Sequence, residues 1–340
     1  MIKPAILITN TMVKYTFIEV CAGAGGLSSG LMKAGFHPLL LNDINKDCCE
    51  TLRMNHPGAN IQCCEMQDLK LDKYIDAVDL LTGGVPCQSF SQAGKRLGLD
   101  DPRGDLIVKF VDLVDTLRPK MFMIENVKGL LTHNSGETLQ HVLELIGEDT
   151  YDVAYKVLNA TKYGVPQKRE RLFIVGVRKQ KVEFTFPNES TARLMCKDVL
   201  VDVPHSEGAT YSEYKKALFD MIPQGGCWVN LPVAIQKEYL GASYNSGGGK
   251  RGILRRLSMD APCLTLLCSP SQKQTERCHP LETRPLTTRE YARIQTFPDD
   301  YDFYGSMSSV YKQIGNAVPV ELARRMGVAL KKCLAEMAKN

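Results

Sequence analysis

Hydrophobic positions in the first half of the chain come in short runs, each followed by a polar or glycine turn and then by residues at helical spacing. Phe17 to Val20 is the first run. Gly23, Gly25 and Gly26 follow it, and Leu27 to Ala34 has a helical pattern that Gly35 closes as a C-cap. The pattern predicts strand, tight turn and helix. A second run, His37 to Leu41, ends in Asn42 and Asp43 before a helix starting near Asn45, and a third, Asn60 to Cys64, ends in Glu65. Ala77 to Leu81 reads as a buried parallel strand that Gly83 and Gly84 stop, and Met121 to Ile124 as another strand of the same sheet. From about Lys181 the alternation is lost, and Pro, Gly and Ser punctuate the chain to about Thr283. A last helix is expected over Val320 to Met337. Strand and helix in alternation predict an α/β fold with a mostly parallel, Rossmann-like sheet.

In such a sheet, ligands sit in the crevice at the carboxyl ends of the strands. Residues 82 to 94, TGGVPCQSFSQAG, place Cys87 there, directly after Pro86. Proline restricts its own φ and the conformation of Val85, so the thiol is presented from a stiff turn, a position suited to nucleophilic attack. A free cysteine is more often a small buried hydrophobe, so position alone does not decide its role. The glycine turn is likewise a weak signal, shared by many nucleotide-binding folds. Asp43 suits two roles equally: accepting hydrogen bonds from ribose hydroxyls, or capping the helix that follows. Arg169 and Arg171, two apart on a strand-like run, read by themselves as one solvated face.

Composition adds little. The chain has 340 residues, 44% of them hydrophobic and 24% charged, as expected of an ordinary globular protein. A formal charge of +4 permits a polyanionic partner without arguing for one. The sequence holds no apolar run of bilayer length, and the PAILI patch near the N-terminus lacks a cleavage pattern, so neither a membrane span nor a signal peptide is expected. The 12 cysteines are scattered, with Cys48–Cys49 and Cys63–Cys64 adjacent in sequence, which suits neither a metal knuckle nor a disulfide framework. A reducing, cytoplasmic compartment and no metal are expected. Cys278 and His279 alone do not make a metal site.

Six motifs, taken together and in order, carry a resemblance: EVCAGAGG (19 to 26), GGVPCQSFS (83 to 91), ENVKGL (125 to 130), QKRERLF (167 to 173), RPLTTREYARIQTFPDDY (284 to 301) and QIGNAVP (313 to 319). They span nearly the whole chain, which resembles the bacterial DNA (cytosine-5) methyltransferases of restriction-modification systems. Two departures stand out. Cys21 occupies a position where the family usually has an aromatic residue, and Glu65-Met66 replaces a common Asp-Ile.

The resemblance implies transfer of a methyl group from S-adenosylmethionine to carbon 5 of a cytosine swung out of duplex DNA. Cys87 would add to carbon 6, Glu125 would bond ring nitrogen 3 and the exocyclic amine with a pKa raised by burial, and Arg169 with Arg171 would support the charge. The implied cofactor site is Cys21, Ala22, Gly23, Gly25, Gly26, Leu27, Asp43, Ile44, Glu65, Met66 and Asn316. DNA contacts are expected from Gln88, Ser91, Lys95, Arg96 and Arg103 on a glycine-punctuated closing loop. Others are expected from Arg251 and Arg255 in a basic cluster with Lys250 and Arg256, and from Thr265 near the flipped nucleotide's phosphate. No residue is assigned to removal of the carbon 5 proton. The implied division is a discontinuous catalytic domain, 1–180 plus 315–340, and a smaller, mostly irregular or β target-recognition domain with its connecting helix, 181–314. Arg289 and Arg293, on one helical face, are expected to organise that domain. A monomer acting on double-stranded DNA, with a cognate endonuclease as functional partner, completes the expectation. Two rivals are a tRNA-methylating relative, whose late Cys-Phe-Thr signature is absent here, and a non-enzymatic DNA-binding relative.

Overall fold

The computed structural model describes residues 15–86, 106–146, 149–245 and 252–339. Cys87, Gln88, Ser91, Lys95, Arg96, Arg103, Lys250 and Arg251 lie outside the described residues.

Strand β1 (Thr16–Val20) leads through the glycine turn into α1 (Gly26–Lys33), β2 (His37–Asp43), α2 (Lys46–Asn55) and β3 (Ile61–Cys63). Strand β4 (Leu80–Gly83), α3 (Leu106–Leu117), β5 (Met121–Val127), α4 (Glu137–Ile146) and β6 (Tyr151–Asn159) follow, then β7 (Gln167–Lys168) and β8 (Glu170–Arg178). Seven of these strands form one sheet in the order β3-β2-β1-β4-β5-β8-β6. The first five are parallel, whereas β8 runs antiparallel to both β5 and β6. The order reverses between β1 and β4, so their carboxyl ends open the crevice where ligands bind in doubly wound sheets.

Two apolar layers sandwich the sheet. Phe17, Leu41 and Met121 face one layer, where α1 and the C-terminal helix α9 (Val320–Met337) lie, while Ile18, Leu40 and Phe122 face the other with α3 and α4. That is why the central strands are continuous apolar runs rather than alternating ones.

Between these halves the chain is mostly irregular. Its regular pieces are α5 (Glu213–Asp220), α6 (Val233–Leu240), the two-residue strand β9 (Cys263–Leu264), α7 (Thr288–Ile294) and α8 (Met307–Asn316). Among the described residues, strand in this region is confined to β9, which pairs in parallel with β7, and to isolated bridges. Arg289 and Arg293 on α7 do tie loops together: Arg289 donates to the Pro298 and Tyr301 carbonyls, and Arg293 bonds Asp299 and the Val201 and Asp202 carbonyls. No described helix is long and apolar enough to cross a membrane.

Close packing of α9 on α1 returns the C-terminus to the first half. At Gly30 a Cβ would lie 2.3 Å from the Ala323 Cβ and 2.6 Å from the Arg324 nitrogen, so the two helix backbones meet with no room for a methyl. Gly30→Ala is therefore expected to destabilise the fold by about 2 kcal/mol despite alanine's higher helix propensity, since overpacking outweighs it. Chemical denaturation of the variant measures this. An unchanged midpoint and slope would show that the helices separate at no cost.

Candidate active site

A cleft of about 590 Å³ opens at the carboxyl ends of β1, β4 and β5. One end is the glycine turn. Cys21, with φ of 51°, and Gly23, with φ of 55°, carry the chain through left-handed conformations, which only glycine adopts without strain. Asp43 fixes the turn: one carboxylate oxygen accepts from the Gly23 amide at 2.8 Å, the other from the Asn45 amide at 2.8 Å. The residue that caps α2 is Asn45, whose side chain accepts from the Cys48 amide. The capping alternative for Asp43 is thus settled, leaving its carboxylate on the cleft wall. Cys21, Ala22, Gly23, Leu27, Asp43, Ile44 and Asn316 all line the cleft; Gly25, Gly26, Glu65 and Met66 are not among its lining residues. Gly25 caps α1 from behind the turn, Met66 packs in the core, and Glu65 is exposed, bonded to Gln67. Burial, with Asp43 and Glu19 nearby, pushes the Cys21 thiol up to about 12.

The other end is ionic. Glu125 and Asn126 end β5, and Arg169 and Arg171 flank the start of β8. Register pairs Val127 with Arg171 across the antiparallel strands, and the Arg171 Nε stands 2.9 Å from a Glu125 carboxylate oxygen. Both side chains are nearly buried, and Arg169 is 1% exposed. Arg169 donates to the Leu266 carbonyl at 3.1 Å and the Asn316 carbonyl at 3.3 Å. The solvated-face reading of the two arginines is thereby corrected: both turn inward, and only Glu170 between them points to water. Burial pushes the Glu125 carboxyl upward, against the opposing pull of Arg171 and then Arg169. Burial, followed by the neighbouring Arg171 charge, lowers Arg169 to about 9.

Between the two ends, Gly84, Val85 and Pro86 line the cleft, and the Asn126 side chain donates to the Val85 carbonyl at 2.9 Å. The ENV motif thus anchors the Pro-Cys turn up to Pro86. Thr265 donates to the Lys168 carbonyl at 2.6 Å, beside the β7–β9 pair, and does not line the cleft. Arg255 is half-buried. Arg256, 6% exposed, gives its donors to the His279, Glu282 and Phe219 carbonyls and the Thr283 hydroxyl. It is a structural brace, so the basic cluster does not extend to it.

Several cleft residues lie outside the site expected from the sequence, Ser309, Lys312, Gln313 and Glu19 among them. Ser309, Lys312 and Gln313 come from α8, whose polar spacing reads as a surface helix. Glu19 sits inside the first apolar run, 1% exposed, accepting from the Ser28 hydroxyl. An acid in a strand buried on both faces is the signal that would have found it.

With this geometry in hand, comparison with known proteins is direct. The C-5 cytosine-specific DNA methylase family matches residues 15–332. The chain belongs to that family. Among curated proteins it is 48% identical to the Type II methyltransferase M.PspPI of Psychrobacter over 337 residues, 96% of this chain and 81% of that one. It is also 48% identical to the Type II methyltransferase M.Sau96I of Staphylococcus aureus, covering 93% and 75%. Among solved structures, a prophage-encoded E. coli protein described as a DNA modification methyltransferase superposes with a TM-score of 0.71 at 26% identity, covering 95% of this chain and all of that one. The Dnmt2 methyltransferase of S. pombe shares the fold, with a TM-score of 0.61 at 19% identity and coverage of 96% and 100%.

Glu19 makes a measurable contribution to pH dependence. Burial, the largest cause, raises it to about 8, so the folded state holds a proton that the unfolded chain releases near its ordinary pKa of 4.5. Stability is then full below about pH 4.5 and declines as pH rises through 8. Glu19→Gln is an isostere of the protonated form. Its melting temperature is expected to match wild type near pH 5 and exceed it at pH 8.5. Parallel melting curves for the two proteins across that range would remove the buried proton from the account.

Proposed function

We propose that this methyltransferase moves a methyl group from S-adenosylmethionine to carbon 5 of a cytosine extruded from duplex DNA, through a covalent bond between Cys87 and carbon 6. One observation carries the reading: a single cleft joins the Asp43-braced glycine turn to the Glu125–Arg171 pair, with the Pro86 turn between them. Its volume falls within the range of small-molecule sites.

The turn suits the cofactor. A Cβ on Gly23 would meet no atom within 4 Å, so its backbone faces open space. Ile44 is 66% exposed although it lines the cleft, which leaves an apolar face for an aromatic ring. Asp43 retains lone pairs for ribose hydroxyls. Cys21, Ala22, Gly23, Leu27, Asp43, Ile44 and Asn316 would hold it. When bound, the group supplies an electrophilic sulfonium methyl.

The chain's own residues do the rest. Cys87 acts as thiolate, the nucleophilic form. Adding it to carbon 6 makes the ring electron-rich at carbon 5; once carbon 5 carries the methyl group, loss of its proton to a solvent base and departure of Cys87 as thiolate break the sulfur–carbon 6 bond and restore the ring. Glu125, whose carboxyl burial pushes above its ordinary range, would donate to ring nitrogen 3 as charge develops there. Arg171 holds that carboxyl in place, and Arg169 adds positive charge that favours the anionic nucleophile. A base stacked in a duplex cannot reach the bottom of such a cleft, so the target is flipped out first. Residues 1–180 with 315–340 form the catalytic part, and 181–314 reads the DNA, with Arg255 and Thr265 as contacts. The Type II relatives favour the modification half of a restriction-modification system.

Cys87→Ser is expected to abolish methylation and leave DNA binding intact, and wild type should form a covalent adduct with duplex DNA carrying 5-fluorocytosine at its site. Turnover by the serine variant, or no adduct, overturns the nucleophile. Glu125→Gln should cut kcat about 10²-fold or more with cofactor affinity kept, measured by tritium release from labelled DNA. Comparing methyl transfer to duplex DNA and to tRNA tests the substrate. Preferential labelling of tRNA would reassign it.

A further inference from the structure

Behind the glycine turn, on the side away from the cleft, lies a short hydrogen-bond relay. The Tyr301 hydroxyl donates to the Ala24 carbonyl at 2.6 Å. Its only hydrogen is used there, so the 3.3 Å contact with His56 Nε2 requires the imidazole to donate. His56 is 6% exposed, and its Nδ1 is buried without a partner among the described residues. Burial lowers His56 to about 4, which leaves the ring neutral. One ordered tautomer follows: His56 donates to Tyr301, and Tyr301 to Ala24.

The phenol is held firmly. Phe297 and Phe303 pack on its ring, with centroids at 4.8 and 5.3 Å, and Arg289 on α7 donates to the Tyr301 carbonyl at 3.0 Å. The fit against the turn is tight: a Cβ on Gly25 would lie 2.6 Å from the Tyr301 oxygen. Ala24 lies between Gly23, whose amide Asp43 holds on the cleft side, and Gly25, which caps α1. The turn is therefore pinned on both sides, by Asp43 in front and Tyr301 behind.

We propose that Tyr301 is a positioning residue for the cofactor turn, acting through the Ala24 carbonyl, with His56 fixing the direction of its hydroxyl. The inference rests on the reading that S-adenosylmethionine occupies that turn. The hydroxyl orients the peptide units that the cofactor meets, touches no reacting atom, and shapes binding of the cofactor more than the chemical step.

Tyr301→Phe removes one oxygen and keeps the ring packing. The KM for S-adenosylmethionine is expected to rise about five- to tenfold, the scale of one lost buried hydrogen bond. The Kd for S-adenosylhomocysteine, measured calorimetrically, should rise by the same factor. At saturating cofactor, kcat should stay within about twofold and the KM for duplex DNA should not move. Unchanged cofactor constants, or a fall in kcat with the DNA KM moving in step, overturn the proposal. Asp43→Ala separates the two readings. If it leaves S-adenosylhomocysteine affinity intact, the cofactor assignment fails; if it abolishes affinity while Tyr301→Phe does not change it, only the positioning role fails. Nitrogen-15 spectra of wild-type His56 give a check that needs no variant: Nε2 should carry the proton at neutral pH. A proton on Nδ1 refutes the relay.

Discussion

Three ionisable groups held almost out of water define this molecule: the Glu125 carboxyl and the guanidiniums of Arg171 and Arg169. Removing such groups from solvent costs several kcal/mol each unless partners replace the lost hydration. Glu125 and Arg171 find one another across adjacent antiparallel strands. Among the described residues Arg169 has no carboxylate in direct contact, and its guanidinium is stabilised by two backbone carbonyls, of Leu266 and Asn316. One carbonyl follows β9 and the other ends α8. Neither belongs to the sheet, yet the sheet's charged corner needs both.

That requirement explains why distant segments converge there. Gln167, fully buried, accepts from the Leu266 amide and donates to Gln295, whose amide nitrogen bonds the Ile314 and Ala317 carbonyls. A chain of side-chain amides thus binds β7, the β9 segment and the end of α8 into one unit. Docking of α9 on α1 closes the same circuit from the other side. The cleft is therefore enclosed by pieces that the sequence order keeps far apart, and each piece satisfies polar groups on another.

Separation in sequence also decides what could be read beforehand. The strands, the glycine turn and the last helix follow from local spacing, and their boundaries in the structure differ from the reading by up to three residues. Asp43 was legible as a cleft residue because it ends a strand, but the outcome of its competition with a capping role was not, since Asn45 stands only two residues away and takes the cap. The burial of Arg169 had no local signal: its carbonyl partners lie 97 and 147 residues downstream. Arg256 misleads for the same reason, sitting in a basic cluster while its donors serve carbonyls 23 to 37 residues away. Lys312 and its neighbours on α8 look like a solvated face, and only docking of that helix beside the cleft places them on its wall.

The opposing influences on Glu125 bear most directly on chemistry. Burial alone would hold its proton too tightly to be shared with a ring nitrogen. Two adjacent guanidiniums alone would strip the proton and leave an acceptor where the proposed reaction needs a donor. Burial is the larger influence, so the carboxyl sits above its ordinary range, and the arginines limit how far. A donor tuned between these extremes responds to charge that appears only as a nucleophile adds to the ring. That is the condition for stabilising a transition state rather than a ground state. The arginine pair thus helps set the acidity of Glu125 as well as lending the positive charge proposed to favour the nucleophile, and the carbonyls that hold Arg169 become part of that setting.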